Sequence, residues 1–243
     1  MLIVNADDLG RTRPATDSAL SCFAQGRITS TSAMVFMADS ERAAELALAS
    51  GIDVGLHINL SERFYLDSIP PKLRDYHERV CRFLTASKYA LLLYHPLLTA
   101  QFRYVFQAQH EEFLRLYRRR PSHLDGHQHM HLATNMLIQR ILPQGTKVRR
   151  SFSFQPGEKS FLNRWYRAAV DHHLTRRHRL TDRFYALSQN LSLDRLERVV
   201  ALAKETNVEL MTHPANSVEY DILMSDEYGQ ALSPVRQAGY DAL

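Results

Sequence analysis

Cysteine is almost missing from this chain of 243 residues, which holds only Cys22 and Cys81. Two distant thiols exclude a disulfide scaffold and suit a reducing compartment, so a cytoplasmic protein is expected. Glycine is sparse as well, nine residues in all, and no glycine-rich loop of the kind that cradles phosphates stands out. No stretch reaches the roughly 18 apolar residues of a membrane span. The first residues pass from Met1 straight into Leu-Ile-Val-Asn, without the basic segment and apolar run of a signal peptide. Repeats and low-complexity linkers are lacking, so one domain over 1–243 is expected. Charge of one sign is not in large excess: the net formal charge is +4. It is gathered in clusters such as Arg118-Arg119-Arg120, Lys147-Val148-Arg149-Arg150 and Arg176-Arg177-His178-Arg179. With no interleaved aromatic motif, these read as solvated helix ends and loops, and no nucleic-acid partner is expected.

What is present is an alternation of apolar patterns. Residues 2–6 form a short apolar run that ends in Asp-Asp-Leu-Gly, a buried strand entering a loop. Residues 14–25 then carry Ala15, Ala19, Leu20 and Phe23 at helical spacing, with Gly26 as a stop signal. The cycle recurs as a strand over 29–37, a helix over 40–49 closed by Gly51, and an alternating strand over 52–60. Strands alternating with helices imply α/β architecture with a parallel sheet or barrel. Residues 61–86, with Pro70-Pro71 and scattered charges, read as an insertion in the loop after the third strand, where loops often cover a site. Residues 88–120 read as two helical pieces broken at Pro96, and their apolar, aromatic stretch from Tyr89 to Phe106 serves as core, as the wall for a lipid-linked substrate, or as a homodimer contact. A strand at 121–126, a helix near 133–142, a strand near 147–150, helices over 161–178 and 193–205, and a strand over 208–212 follow. The tail from Asn216 is poorly periodic.

Polar chemistry falls at the ends of the predicted strands. Asp7 and Asp8 adjoin one another after a buried strand, where neighbouring carboxylates repel unless a cation or proton intervenes. Asp-Asp-x-Gly is equally good turn and helix-cap chemistry. His57 lies near the end of the third strand, on the opposite face from Leu56 and Ile58, as a core histidine or a functional one. Residues 123–131, H-L-D-G-H-Q-H-M-H, bring four histidines and an Asp together directly after a strand. Imidazole and carboxylate at that density suggest a borderline metal such as zinc. His213 ends the last strand, with Pro214 behind it. Such sites at the carboxyl ends of strands are where parallel α/β folds assemble active sites, which favours a barrel-like arrangement.

Taken in order, N-A-D-D-L-G at 5–10, T-S-T at 29–31, V-G-L-H-I-N-L at 54–60, the 123–131 block and T-H-P at 212–214 resemble the signature blocks of the YdjC-like family of carbohydrate deacetylases. That group includes chitooligosaccharide deacetylases and a hopanoid-associated type. The resemblance implies a distorted (β/α) barrel, a divalent ion held by Asp8, His57 and His127, Asp7 as the catalytic carboxylate and His213 as the general acid. Under it His123, Asp125, His129 and His131 either orient the ligands or touch the sugar. A competing ligand pair, His123 with His127 in H-x-x-x-H spacing, follows from more distant polysaccharide deacetylases.

The implied reaction hydrolyses the acetamide of an N-acetylated sugar by metal-activated water. Two imidazole ligands favour Zn²⁺ on grounds of softness, whereas Mg²⁺ has been proposed for the family. Two rival readings remain: a metal-dependent hydrolase of another bond, such as a phosphoester, and a metal-binding protein without catalysis. A second metal site would favour the first, and a closed fourth ligand position the second.

Overall fold

The structure is a computed structural model that describes residues 1–66, 69–154 and 157–243. Its centre is a sheet of six strands: β1 (Leu2–Leu9), β2 (Ser30–Ala33), β3 (Asp53–Ile58), β4 (Leu124–Gly126), β5 (Arg183–Ala186) and β6 (Val208–Thr212). They pair in the order β4-β3-β2-β1-β6-β5, and every pair is parallel. The long β1 is therefore interior, with β2 on one side and β6 on the other.

The two edges, β4 and β5, do not pair with each other. The chain from Lys147 to Ser153 spans the gap: Arg149 N donates to the Leu124 carbonyl at 3.0 Å, Val148 N to the Arg179 carbonyl at 2.9 Å, and Ser153 N to the Phe184 carbonyl at 2.9 Å. The sheet thus curls into a distorted, incomplete barrel, and irregular backbone closes the gap where further strands would stand. Bridges at Lys147 and Val148 are what remains of the strand expected over 147–150.

Period-2 alternation sorts the strand side chains into two environments. Val4 and Ala6 of β1, Val54, Leu56 and Ile58 of β3, Leu124 of β4 and Leu210 of β6 belong to the large apolar core beneath the helices. The alternate residues, Asn5, Asp7, Ser32, His57, Asp125 and Glu209, face one another inside the curl, where they are joined by hydrogen bonds and ion pairs. Burial on the helix side supplies the stabilisation, since buried apolar area contributes about 25 cal/mol per Å². The interior is left free to be polar.

The helices are α1 (Arg13–Ala24), α2 (Ser40–Ser50), α3 (Pro71–Thr85), α4 (Thr99–Tyr117), α5 (Thr134–Ile138), α6 (Phe161–Thr175), α7 (Leu193–Glu205), α8 (Ser217–Met224) and α9 (Asp226–Leu232). Thr12 caps α1 and a proline opens its first turn. Gly51, at φ 74°, ends α2 in the left-handed conformation that glycine favours.

Several expectations need correction. The insertion after β3 is not only loop: Pro71 starts α3, whose Leu73, Val80 and Leu84 are buried at helical spacing against α4. Asp67 and Ser68, also in that insertion, lie outside the described residues. Of the two helical pieces around Pro96, the first reduces to short 3-10 turns at Ala90–Leu92 and Pro96–Leu98. The large apolar residues there divide: Phe102 and Phe106 are core, whereas Tyr89, Leu93, Tyr94 and Leu97 are exposed. β5 was not expected, and the tail forms α8 and α9.

Candidate metal centre

Adjacent residues of an ideal strand point to opposite faces, so two neighbouring carboxylates need a distortion to share one site. β1 supplies it. Its register with β2 shifts between Ala6 and Leu9, and Asp8 adopts φ 70°, a left-handed conformation that costs energy and is stored at functional sites. Asp7 and Asp8 therefore both face His57. A second reversal follows β4, where Gln128 and His129, at φ 52° and 59°, kink the 3-10 turn of the histidine-rich segment. That turn places His127 beside Asp8.

Among the described residues, one oxygen of Asp8 and one ring nitrogen each of His57 and His127 lie within 4.8 Å of one another. His57 Nε2 is 3.4 Å from Asp8 Oδ1, close to the separation of about 3.3 Å between two donors on a tetrahedral ion with bonds near 2.0–2.1 Å. Asp125 Oδ1 accepts from His57 Nδ1 at 2.8 Å, which fixes the tautomer and leaves Nε2 as the donor to an ion. His127 has a carboxylate at each ring nitrogen: Asp8 Oδ1 lies 3.0 Å from Nδ1 and Glu62 Oε2 3.3 Å from Nε2. One carboxylate and two imidazoles, buried and oriented, fit a divalent ion of the zinc type.

Asp7, His57 and Asp125 form a second cluster of metal-ligand type, but a cation already occupies it. The Arg149 guanidinium is fully buried and donates to both oxygens of Asp7, at 2.6 and 2.7 Å. It also pairs with Asp125 Oδ2 at 2.8 Å and Glu209 Oε1 at 2.7 Å. One cation thus serves three buried carboxylates. Burial would raise Asp7, but the charges of Arg149 and His57 hold it below the usual carboxylate range. Asp8, against the two imidazoles, is likewise held low despite burial. Glu209 goes the other way: burial pushes it up to about 7 against the pull of the Arg149 charge, and Tyr240 Oη donates to its other oxygen. Burial would lower His57, yet Asp125 and Asp7 raise it to about 10, so this pocket attracts positive charge strongly.

His213 stands apart from these clusters. It is 38% exposed, and its Nδ1 is 3.8 Å from Glu219 Oε1. Burial would lower its pKa, but Glu219, together with Asp7 and Asp8, raises it. The remaining histidines of the 123–131 block are spread out. His123 is fully buried, with Nε2 2.9 Å from Ser32 Oγ, its ring stacked on Tyr240, and burial lowers it to about 4. It stands in neither cluster of metal-ligand type, so the H-x-x-x-H pair is not brought together. His131 is fully buried with Nε2 on the Arg149 carbonyl at 3.0 Å. Neither side chain is exposed to solvent. His129 packs edge-on against Phe152 at 4.6 Å, and burial lowers it to about 3.

The residue that sequence reasoning missed is Arg149, which lies in a basic run read as solvated. The signal available was indirect: buried carboxylates on several strands require a counter-charge. Glu62 was also missed. Its backbone is held by Asn59, which accepts from Glu62 N at 2.9 Å, and Arg11 Nε pairs with its carboxylate at 2.8 Å.

Comparison with known proteins gives relatives along most of the chain. The model of a family described as YdjC-like protein matches residues 1–234. A chitooligosaccharide deacetylase of Proteus mirabilis (strain HI4320) is 29% identical over 225 residues, which cover 88% of this chain and 81% of that one. A carbohydrate deacetylase of Mus musculus is 33% identical over 132 residues, covering 54% of this chain and 43% of that one. Among solved structures, an Enterococcus faecalis V583 protein for which cellobiose-phosphate cleavage has been suggested shares the fold. Its TM-score is 0.69 at 20% identity, over 99% of this chain and 97% of that one.

Proposed function

Because this chain belongs to the YdjC-like protein family, we propose that it is a metal-dependent hydrolase that removes the acetyl group from an N-acetylated amino sugar. The observation that carries this reading is the pairing of the Asp8, His57 and His127 donors with a separate, ionised carboxylate, Asp7, beside them. A divalent ion held by those three side chains would supply Lewis acidity, bringing a water pKa down to about 7 and polarising the acetamide carbonyl.

Asp7 accepts the proton of the attacking water. Its Oδ1 already accepts from Asn5 and Arg149, whereas Oδ2 accepts from Arg149 alone and keeps one lone pair on the side of His57, 4.0 Å away. The proton is therefore taken at Oδ2. Arg149 keeps Asp7 ionised and fixes its plane, and Asp125 keeps the His57 ring in one orientation. After attack, the amine leaves as a neutral molecule only if its nitrogen is protonated. His213, accessible and biased towards its charged form by Glu219, donates that proton. The free thiols of Cys22 and Cys81 suit a cytoplasmic enzyme. Among the described residues, no helix is long and apolar enough to cross a membrane.

The test is acetate release from N-acetylglucosamine oligomers by zinc-loaded protein beside the Asp7→Asn variant, with metal content measured in both. The reading expects acetate from the wild type and a loss of about 10²–10⁴-fold in the variant at equal metal content. A stoichiometrically loaded wild type that releases no acetate from any acetylated sugar would overturn it.

A further inference from the structure

Each donor of the proposed metal centre has a far side, and in all three a partner holds it. The near atoms are Asp8 Oδ1, His57 Nε2 and His127 Nδ1, with Oδ1 3.4 Å from His57 and 3.0 Å from His127. Opposite them, Asp125 Oδ1 lies 2.8 Å from His57 Nδ1, Glu62 Oε2 stands 3.3 Å from His127 Nε2, and Arg11 Nη1 donates to Asp8 Oδ2 at 3.2 Å. Arg11 Nε is in turn 2.8 Å from the same Glu62 oxygen. Asp8, Arg11, Glu62 and His127 thus close a ring of polar contacts on one side of the centre, and the reaction as proposed gives neither Arg11 nor Glu62 a task.

The backbone delivers both side chains. After the distortion of β1 the chain turns at once: Arg11 N donates to the Asp8 carbonyl at 3.1 Å with Gly10 at φ 81° inside the turn, and the Arg11 side chain folds back over the carboxylate. Glu62 follows β3 and is fixed by the fully buried Asn59. The Asn59 Oδ1 accepts from Ser61 N at 3.2 Å and Glu62 N at 2.9 Å, and its Nδ2 donates to the Glu62 carbonyl at 2.6 Å. The Asn59 backbone is itself held by buried Gln109 of α4, which accepts from its N at 2.7 Å and donates to its carbonyl at 2.9 Å. Nε2 of His77, in α3, lies 3.1 Å from that carbonyl as well. Buried polar networks are costly unless their members are satisfied, and this one, anchored on two helices, ends on a carboxylate that meets a metal ligand.

A ligating imidazole works through one nitrogen, and the bond made by the other decides which. With a carboxylate at Nε2, His127 carries its proton there and turns the Nδ1 lone pair towards Asp8 Oδ1. Two lone pairs 3.0 Å apart are tolerable only with a cation or a proton between them. A carboxylate can bind an ion through one oxygen or two, and Asp8 has Oδ2 committed to Arg11, which leaves Oδ1. One oxygen and two nitrogens keep a fourth position of tetrahedral coordination open for water.

We infer that Glu62 and Arg11 are positioning residues for the metal ligands: Glu62 fixes Nδ1 as the donor atom of His127, and Arg11 keeps Asp8 a one-oxygen ligand. The inference rests on the reading of Asp8, His57 and His127 as the ligand set, and its readouts need no turnover.

The test compares wild type, Glu62→Ala, Glu62→Gln and Arg11→Met by chelator competition for zinc, by the visible absorption of the cobalt-loaded proteins, and by melting of the metal-stripped proteins. Zinc affinity should fall about 10–100-fold in Glu62→Ala, and less in Glu62→Gln, whose amide oxygen still accepts from the ring. Arg11→Met should weaken the Co²⁺ absorption, because a carboxylate free to bind through both oxygens draws the ion away from tetrahedral geometry. The stripped variants should melt close to the wild type, since partly exposed ion pairs add little to folding. Wild-type zinc affinity in Glu62→Ala, an unchanged cobalt spectrum in Arg11→Met, or affinity lost only in step with a lower melting temperature of the stripped protein overturns the inference and leaves deacetylation standing. Variants that meet these expectations, in a protein whose wild type releases no acetate from any acetylated sugar, uphold the positioning pair and remove the deacetylase reading.

Discussion

Replacing the Arg149 guanidinium with the uncharged side chain of methionine strands Asp7, Asp125 and Glu209 in the interior. Breaking a buried ion pair in this way costs about 3–5 kcal/mol, so Arg149→Met should lower the denaturant midpoint by a corresponding amount, or fail to accumulate as folded protein. Asp125→Asn removes the carboxylate that fixes the His57 tautomer. Metal affinity, measured by chelator competition, should fall by about 10–100-fold. For His213 the sign follows from its raised pKa: the protonated form persists above its ordinary value, and acid catalysis declines as pH rises through the folded value. A kcat profile should therefore show an alkaline limb above about 6.5 that disappears in His213→Ala. Asp7, Asp8, His57 and His127 stood out in the sequence as polar residues at strand ends, though each alone suits a turn or a core as well, and the structure brings them together. Arg149 did not stand out, because its neighbours Lys147 and Arg150 give it the local context of a surface run, and only its partners on β1, β4 and β6 reveal that it is buried.

Among the elements, the short ones carry the geometry. In β4, Gly126 leaves room for the turn that presents His127: a Cβ there would stand 2.8 Å from the backbone nitrogen of His131. Since backbone cannot swing aside as a flexible side chain does, Gly126→Ala should cost about 1–3 kcal/mol, visible as a lower melting temperature together with reduced metal content. Elements with strong periodicity, such as β1, α1, α2, β3 and α7, were legible from spacing alone. β5 was not, for four residues, Arg-Phe-Tyr-Ala, provide too few alternations. α3 was hidden by its many charges and by Pro70-Pro71, which reads as a break although a proline in the first turn opens a helix. The strand expected over 147–150 dissolved into two bridges because its task is to span the gap between β4 and β5.

For the whole molecule, the alternation of strands and helices gave the parallel architecture, but the strand order and the open side of the curl depend on contacts between distant segments. A bound ion should stabilise the entire fold, because its ligands come from β1, β3 and the turn after β4. Zinc at about 100 times its dissociation constant should add about 2.7 kcal/mol. The melting temperature of stripped protein should rise on zinc addition, and that of Asp8→Ala should not. The placement of β1 between β2 and β6 bears on how the molecule is made. At roughly 5–20 residues per second, a ribosome delivers β6 on the order of 10–40 s after β1, and for that time the strand that carries Asp7 and Asp8 has one bare edge. The nascent protein must shelter an apolar, unpaired strand until its last partner emerges, so slower decoding late in the message prolongs its exposure to aggregation and to chaperones.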